Sequence, residues 1–461
     1  MKKLIWFALA IFASRSAASA EDFHIVIQQG QRPKMAIPDF RGSGAAQGFM
    51  GSFNQTLWSD IEGAGLFEMV AKTSYPTTVP QQPSDFRQPA AVPTPRARKR
   101  DEIAAPPTGG GLWMTDWSGP PASANYLAIG YTAVQNDVLV LYGWLFDLGR
   151  DTPANGQVIG KRYLGSVDEN GARKVAHEFA ADILAIFGQK SLFGTKIVFV
   201  SNRTGNKEIW MMDADGSNQK QMTRFNSLSI QPTLSPDSSR LAFTSYVRGN
   251  PGIFIFSVDP VRQLPFYNQV ASVNETPEFT PDGKQIVYSS SAGGHCCRIF
   301  IANLDGSGLR AISSSSAIDV EPKINPKTGN EIVFVSGRSG PQQIYRMTMD
   351  GADVERLTPG EGEASNPSWS PDGQHLAFAW TQGYATGNFN IFTMDVATRS
   401  YDQLSHGEGR NENPSWAPDG KHIVFMSTRT GSSQIWSMLA DGTQLKQLTT
   451  QGSNSTPVWS K

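Results

Sequence analysis

Pro367-Ser368-Trp369-Ser370-Pro371-Asp372-Gly373 is the stretch that decides the fold. It returns as Pro414-Ser415-Trp416-Ala417-Pro418-Asp419-Gly420 and, earlier, as Pro277-Glu278-Phe279-Thr280-Pro281-Asp282-Gly283. Pro232-Thr233-Leu234-Ser235-Pro236-Asp237 lacks the glycine, Pro322-Lys323-Ile324-Asn325-Pro326 is a degraded copy, and Pro457-Val458-Trp459-Ser460 lies at the end of the sequence. The leading prolines are 45, 45, 45, 47 and 43 residues apart. A fixed period of this size marks a propeller or a solenoid. Pro-Asp-Gly is turn chemistry: proline presets φ and glycine accepts a positive φ. The run after each turn alternates, as in Leu241/Phe243, Ile286/Tyr288, Ile332/Phe334, Leu376/Phe378 and Ile423/Phe425. Period-two alternation is a strand. A third strand follows, carrying Ile209-Trp210, Ile299-Phe300, Ile344-Tyr345, Ile391-Phe392 or Ile435-Trp436. It ends in Asp-Gly turns at Asp215, Asp305, Asp350 and Asp441. Four antiparallel strands repeated radially make a β-propeller.

The repeats predict how the ring closes. The first unit begins at Lys196 without a preceding Pro-x-x-Ser strand, and the last such strand stands alone at 457–460. Pairing the two removes both open sheet edges. The expectation is an all-β six-bladed propeller over 191–461, closed by the C-terminal strand. Both kinds of tight turn fall on one rim. The other rim carries the second-to-third loops, Tyr246 to Gly252, Ser291 to Arg298 and Thr381 to Asn388 among them, and the connections between blades. Variable loops on a rigid scaffold are where binding residues concentrate.

Residues 1–20 read as a secretory signal peptide: Lys2 and Lys3, an apolar run from Leu4 to Ala13, then Ala18-Ser19-Ala20. That apolar run is about ten residues, where a membrane span needs roughly 20. Residues 21–190 predict an α+β domain. Phe23 to Gln28, Met35 to Ile37, Leu66 to Val70, Tyr126 to Ala133, Val138 to Phe146 and Val158 to Leu164 are its strand candidates. Met50, Phe53, Leu57 and Ile61 recur at helical spacing, as do Val175, Phe179, Ile183 and Ile186. Asn170 is the expected cap of the second helix, and Gly188 lies just past its end. Ten prolines fall between Lys72 and Ser123. That composition predicts a flexible insertion at about 72–123 that buries no core.

The formal net charge of −1 gives the whole chain no pull toward nucleic acid or an anionic membrane. The basic run Arg96, Arg98, Lys99, Arg100 lies among prolines and reads as a solvated loop. Cys296 and Cys297 are adjacent, which leaves two readings open: two loop thiols, or a bridge through a strained ring. His295 beside them finds no second ligand cluster of zinc spacing. There is no Gly-x-Ser-x-Gly, and Ala181 stands where the zinc motif beginning His177-Glu178 needs a histidine. The reading is therefore a binding protein with no cofactor. The alternative is a propeller enzyme acting on a sugar or lactone through a channel site.

With these elements in place, the chain resembles the TolB family of the Tol-Pal envelope system. Glu21-Asp22-Phe23-His24-Ile25-Val26-Ile27 is similar to the family's opening segment, Gly65-Leu66-Phe67 matches a stretch of its front domain, and the terminal Pro-Val-Trp-Ser matches its end. The proline-rich insertion is a departure from the family's usual front domain. The resemblance implies a periplasmic monomer, inserted in no membrane and bound to no nucleic acid. Its propeller loop face is expected to receive a Pal-like outer-membrane lipoprotein. Its N-terminal segment, Glu21, Asp22, Phe23, His24, Ile25, Val26 and Ile27, is expected to pair as a strand with a TolA-like inner-membrane protein. Such a bridge serves envelope integrity and constriction at division. Glu321, before Pro322, matches a partner-facing Glu-Pro of the family. By blade position, Asn274, Glu275, Asn366, Glu412 and Asn413 are read as equivalent entrances.

Overall fold

A computed structural model describes residues 32–87, 112–150, 152–294 and 297–460. The signal peptide and the segment Glu21–Ile27 lie outside the described residues. Six four-stranded antiparallel sheets follow one another from Lys196, and they are the six blades that the repeat predicts. Their innermost strands are Ser229–Leu234, Asn274–Phe279, Asp319–Ile324, Ala364–Trp369, Asn411–Trp416 and, for the blade that begins at Lys196, Asn454–Trp459. That last strand pairs antiparallel with Lys196–Thr204, Trp459 opposite Ile197. The seam is fixed further by Trp459 Nε1 donating to Thr195 Oγ1 at 2.9 Å and Ser460 N donating to Lys196 O at 2.8 Å.

The second strands are apolar on both faces, more than their alternation announced. Leu241, Ala242 and Phe243 are all fully buried, as are Ile286, Val287 and Tyr288. The reason is radial packing: each blade is covered on both sides. Leu241 and Phe243 join Val198 and Val200 of the preceding blade, while Ala242 joins Ile286 and Tyr288 of the next. Each Pro-Asp-Gly turn is held by its aspartate. Asp282 Oδ1 accepts from Thr280 Oγ1 at 2.6 Å and from Lys284 N at 3.0 Å, and Gly283 sits at φ 66.

The front part is a six-stranded mixed sheet of β1 (Lys34–Ala36), β2 (Arg41–Ser43), β3 (Glu68–Met69), β4 (Tyr126–Gln135), β5 (Val138–Asp147) and β6 (Gln157–Gly165). Two long helices, Met50–Gly63 and Glu169–Ile186, cover one face. Phe53, Leu57, Phe179 and Ile183 are fully buried against Leu141 and Leu145. Two expectations need correction. The second helix is capped by Asp168, whose Oδ1 accepts from Gly171 N at 2.7 Å; Asn170 lies inside the first turn. The proline-rich stretch does bury a core at both ends. Phe86 and Trp117 are buried on the sheet's other face against Ile129 and Phe146. Composition concealed this because the aromatic residues sit at the two ends of the stretch, while the prolines are spread along it. Residues 88–111 lie outside the described residues.

The front part sits on the rim of tight turns. His422 Nε2 lies 2.8 Å from Gly63 O, Gln444 Nε2 donates to Glu62 O at 2.9 Å, and His177 lies between Asp60 of the first long helix and Asp215 of a blade turn. Gly65, at φ 63, marks the closest approach: a Cβ there would stand 2.9 Å from Leu439 Cδ1. The loop rim is left uncovered by these contacts.

Candidate partner-binding face of the propeller

Every innermost strand breaks register at the same place, for example between Glu275 and Glu278, between Val320 and Lys323, and between Ser365 and Ser368. Two residues in each gap are unpaired, a bulge. The second is the leading proline of the repeat. Proline has no N–H to leave orphaned, so the motif's first residue is explained by the bulge. The first bulge residue takes a positive φ in all six blades: Gln231 (53), Thr276 (56), Glu321 (54), Asn366 (53), Asn413 (54) and Thr456 (46). Residues other than glycine pay about 1–3 kcal/mol for such backbone. A strain repeated six times is sustained by the packing around it, and it aims these side chains into the central channel.

There they hold one another from blade to blade. Glu321 Oε2 accepts from Asn366 N at 2.7 Å, and its Oε1 accepts from Asn366 Nδ2 at 3.0 Å. Asn366 Oδ1 accepts from Asn413 N at 3.3 Å, and Gln231 Oε1 from Thr276 N at 3.3 Å. Thr456 Oγ1 is buried with no hydrogen-bond partner. Burial lifts the Glu321 carboxyl above its ordinary 4.5, against the pull of Asn366 and Lys323; the nearby Glu275 charge adds to the rise. Burial raises Glu275 as well. Glu278 is buried beside them, accepting from Thr233 Oγ1 at 2.9 Å and pairing with Lys323 Nζ at 2.9 Å. Below the ring is a cavity of about 300 Å³, walled by prolines and by Trp369, Trp416 and Trp459, with Lys190 among its lining residues.

The six residues expected as equivalent entrances occupy three different positions. Glu321, Asn366 and Asn413 are bulge residues. Glu275 and Glu412 are one residue earlier; burial raises Glu412, and Arg410 Nε donates to it at 2.7 Å. Asn274 opens its strand, is buried, and accepts from Ser290 Oγ at 2.7 Å, so it is a strand anchor rather than an entrance residue. Reasoning from the sequence missed Gln231, Thr276 and Thr456. The signal was present: each stands immediately before a leading proline.

The loop rim has its own support. Arg203, Arg338 and Arg429 each donate through Nε to the serine two residues earlier at 2.9 Å. Each then reaches the first residue of an innermost strand, Asn454, Asp319 and Asn411 respectively. Arg338 also lies over the rings of Phe334 and Tyr345. Two loop thiols are not what the structure has at Cys297, which is buried and disulfide-bonded. Its carbonyl accepts from Asp319 N at 2.8 Å, two residues before Glu321.

The family model described as the TolB beta propeller domain matches residues 184–379 and 359–461, more than half of the chain. The chain belongs to the TolB β-propeller family. Among curated relatives, a protein TolB homolog of Chlorobium luteolum is 38% identical over 189 residues, 41% of this chain and 42% of the relative. The Tol-Pal system protein TolB of Bordetella pertussis is 32% identical over 206 residues, 44% of this chain and 46% of the relative. The chain thus aligns with less than half the length of the curated relatives it matches. The crystal structure of TolB from Acinetobacter baumannii is similar with a TM-score of 0.72, over 93% of this chain and 97% of that one. At 20% identity this is a likeness of fold. It covers the front sheet as well as the propeller.

Proposed function

We propose that this TolB-family chain is a periplasmic scaffold whose propeller loop rim receives a Pal-like outer-membrane lipoprotein. Its N-terminal segment, Glu21 to Ile27, pairs as a strand with a TolA-like inner-membrane protein. The observation that carries the first half is the division of the two rims. The front sheet occupies the tight-turn rim through Gly63, Glu62 and His177, and these contacts leave the loop rim free. Alternating Phe23, Ile25 and Ile27 support the second half, because strand addition needs an extended segment with one apolar side. Bridging two envelope layers in this way serves their integrity and their constriction at division. Binding and not catalysis is the activity, and the protein acts as a monomer without a cofactor.

The test is a pull-down of the mature chain from envelope extract, comparing wild type, a truncation lacking Glu21 to Gln28, and Glu321→Ala. The reading expects a Pal-like lipoprotein to weaken on Glu321→Ala and an inner-membrane protein to be lost on truncation alone. Retention of no envelope protein by any form would overturn it.

A further inference from the structure

We propose that the end of the front sheet left open by the described residues is a binding platform for an acidic glycan strand. Among the described residues, the face of this sheet opposite the helices is roofed only in part, where Phe86 and Trp117 lie on Ile129 and Phe146. Beyond that roof β4 and β5 present three aromatic rings that share one orientation. Tyr131 and Tyr142 are stacked at 5.0 Å and 20°. Tyr142 and Trp144 lie at 6.5 Å and 18°, and Tyr131 and Trp144 at 6.2 Å and 31°. All three stay partly exposed. Opposite Trp144 on β6 is Gly160, where a Cβ would stand 3.0 Å from the indole Cδ1.

Charge frames the rings. Arg41 of β2 is in register with Tyr131, and Arg162 of β6 with Tyr142. One row, Arg41–Tyr131–Tyr142–Arg162, therefore crosses four strands, and at about 4.8 Å per strand its ends are about 14 Å apart. Both arginines are exposed, and neither has an ion pair or side-chain hydrogen bond among the described residues. Arg410, also exposed, is by contrast engaged with Glu412.

This arrangement selects an occupant. Tyr131 and Tyr142 cover one face of each other, so the outer faces and edges of the aromatic row are what a sugar meets, and unpaired guanidinium forks match carboxylates. The platform is a sheet face whose central backbone groups are already paired between β4, β5 and β6. A peptide recognised by strand addition needs a free edge, which this face does not offer. A sugar chain bearing carboxylates at intervals needs only rings and arginines.

Calorimetry on the full mature chain tests this. The probe is soluble glycan of alternating N-acetylglucosamine and N-acetylmuramic acid, freed of peptide. Chitin oligomers of equal length serve as the uncharged control, and poly-L-glutamate as the polyanion that is not a sugar. The expected result is binding to the acidic glycan at least tenfold tighter than to either control. It should weaken at least tenfold in Arg41→Gln/Arg162→Gln and in Tyr142→Leu. Melting temperature and retention of envelope proteins by the propeller should not change. The arginine pair is exposed, so it decides the matter if Tyr142→Leu lowers stability. No binding, equal binding to polyglutamate, or variants that bind like wild type would overturn the proposal.

Discussion

Glu321 and Asn366 stand at the same position of neighbouring blades, 45 residues apart, and are joined by two hydrogen bonds of 2.7 and 3.0 Å. One carboxylate thereby fixes both the backbone and the side chain of the next bulge residue. That side chain in turn holds the next, since Asn366 Oδ1 accepts from Asn413 N. A change at one blade of the channel mouth is passed to its neighbours through contacts of this kind.

Glu321→Gln is expected to change how stability depends on pH. Burial raises this carboxyl above 4.5, so the fold holds its proton more tightly than the unfolded chain does. For such a group stability is greatest when it is protonated and declines as pH rises from 4.5 through the raised value. The glutamine variant lacks this decline. Urea midpoints measured from pH 4 to 7 should therefore fall less steeply in the variant than in wild type. Equal slopes would contradict the assignment.

His177 ties the front helices to the propeller, and its protonation should matter in the same sense but over a higher pH range. Burial pulls its pKa down, but hydrogen bonds and charge from Asp215 and Asp60 outweigh that and lift it to about 9. The group's contribution is complete below its ordinary 6.5 and is lost as pH rises through 9. The side chain is 14% exposed, so the contribution is about 2–3 kcal/mol. Thermal melts of wild type should show a loss between pH 6.5 and 9.5 that His177→Gln does not show.

Arg338→Ala is expected to cost about 3 kcal/mol, because it leaves the fully buried Asp319 without its charge partner. Lysine will recover little of this. It lacks the fork that lets Nη2 donate to both carboxylate oxygens, at 3.0 and 3.2 Å, while Nε holds Ser336. Chemical denaturation of the two variants checks this, and a near-complete rescue by lysine would contradict it.

Trp459→Ala should open the ring. The residue is 3% exposed, and it links the last strand to Thr195 and Ile197. Truncating a buried tryptophan costs about 3–5 kcal/mol. The loss should be local first: amides of Lys196–Thr204 should exchange faster, with self-association rising as the edge is bared. Uniformly unchanged exchange would mean that the seam is not held here.

The propeller was legible because its turns need particular residues. Pro371-Asp372-Gly373 and its copies carry turn chemistry that no other local structure demands, and the apolar strands between them leave one arrangement. The bulge was less legible. A proline announces that a ladder N–H is missing, but it does not say that Glu321 before it takes a positive φ. Register among blades was misjudged for that reason, and Asn274 and Glu275 were placed with Asn366 although they lie two positions and one position earlier. The packed ends of the proline-rich stretch were not legible either, since Phe86 and Trp117 become core only when β4 and β5 are beside them. Contacts such as His177 with Asp215 join residues far apart in the chain, and one sequence carries no pattern for them.

On the proposed function, the loop rim opposite the front sheet is the partner face. Hydrogen exchange of the mature chain with and without a purified Pal-like lipoprotein tests it most directly. Protection is expected in Tyr246–Gly252, Thr381–Asn388 and the starts of the innermost strands around Glu321 and Asn366. No change is expected in the tight turns at Asp282-Gly283 and Asp372-Gly373. Protection confined to those turns, or to the front sheet, would contradict it.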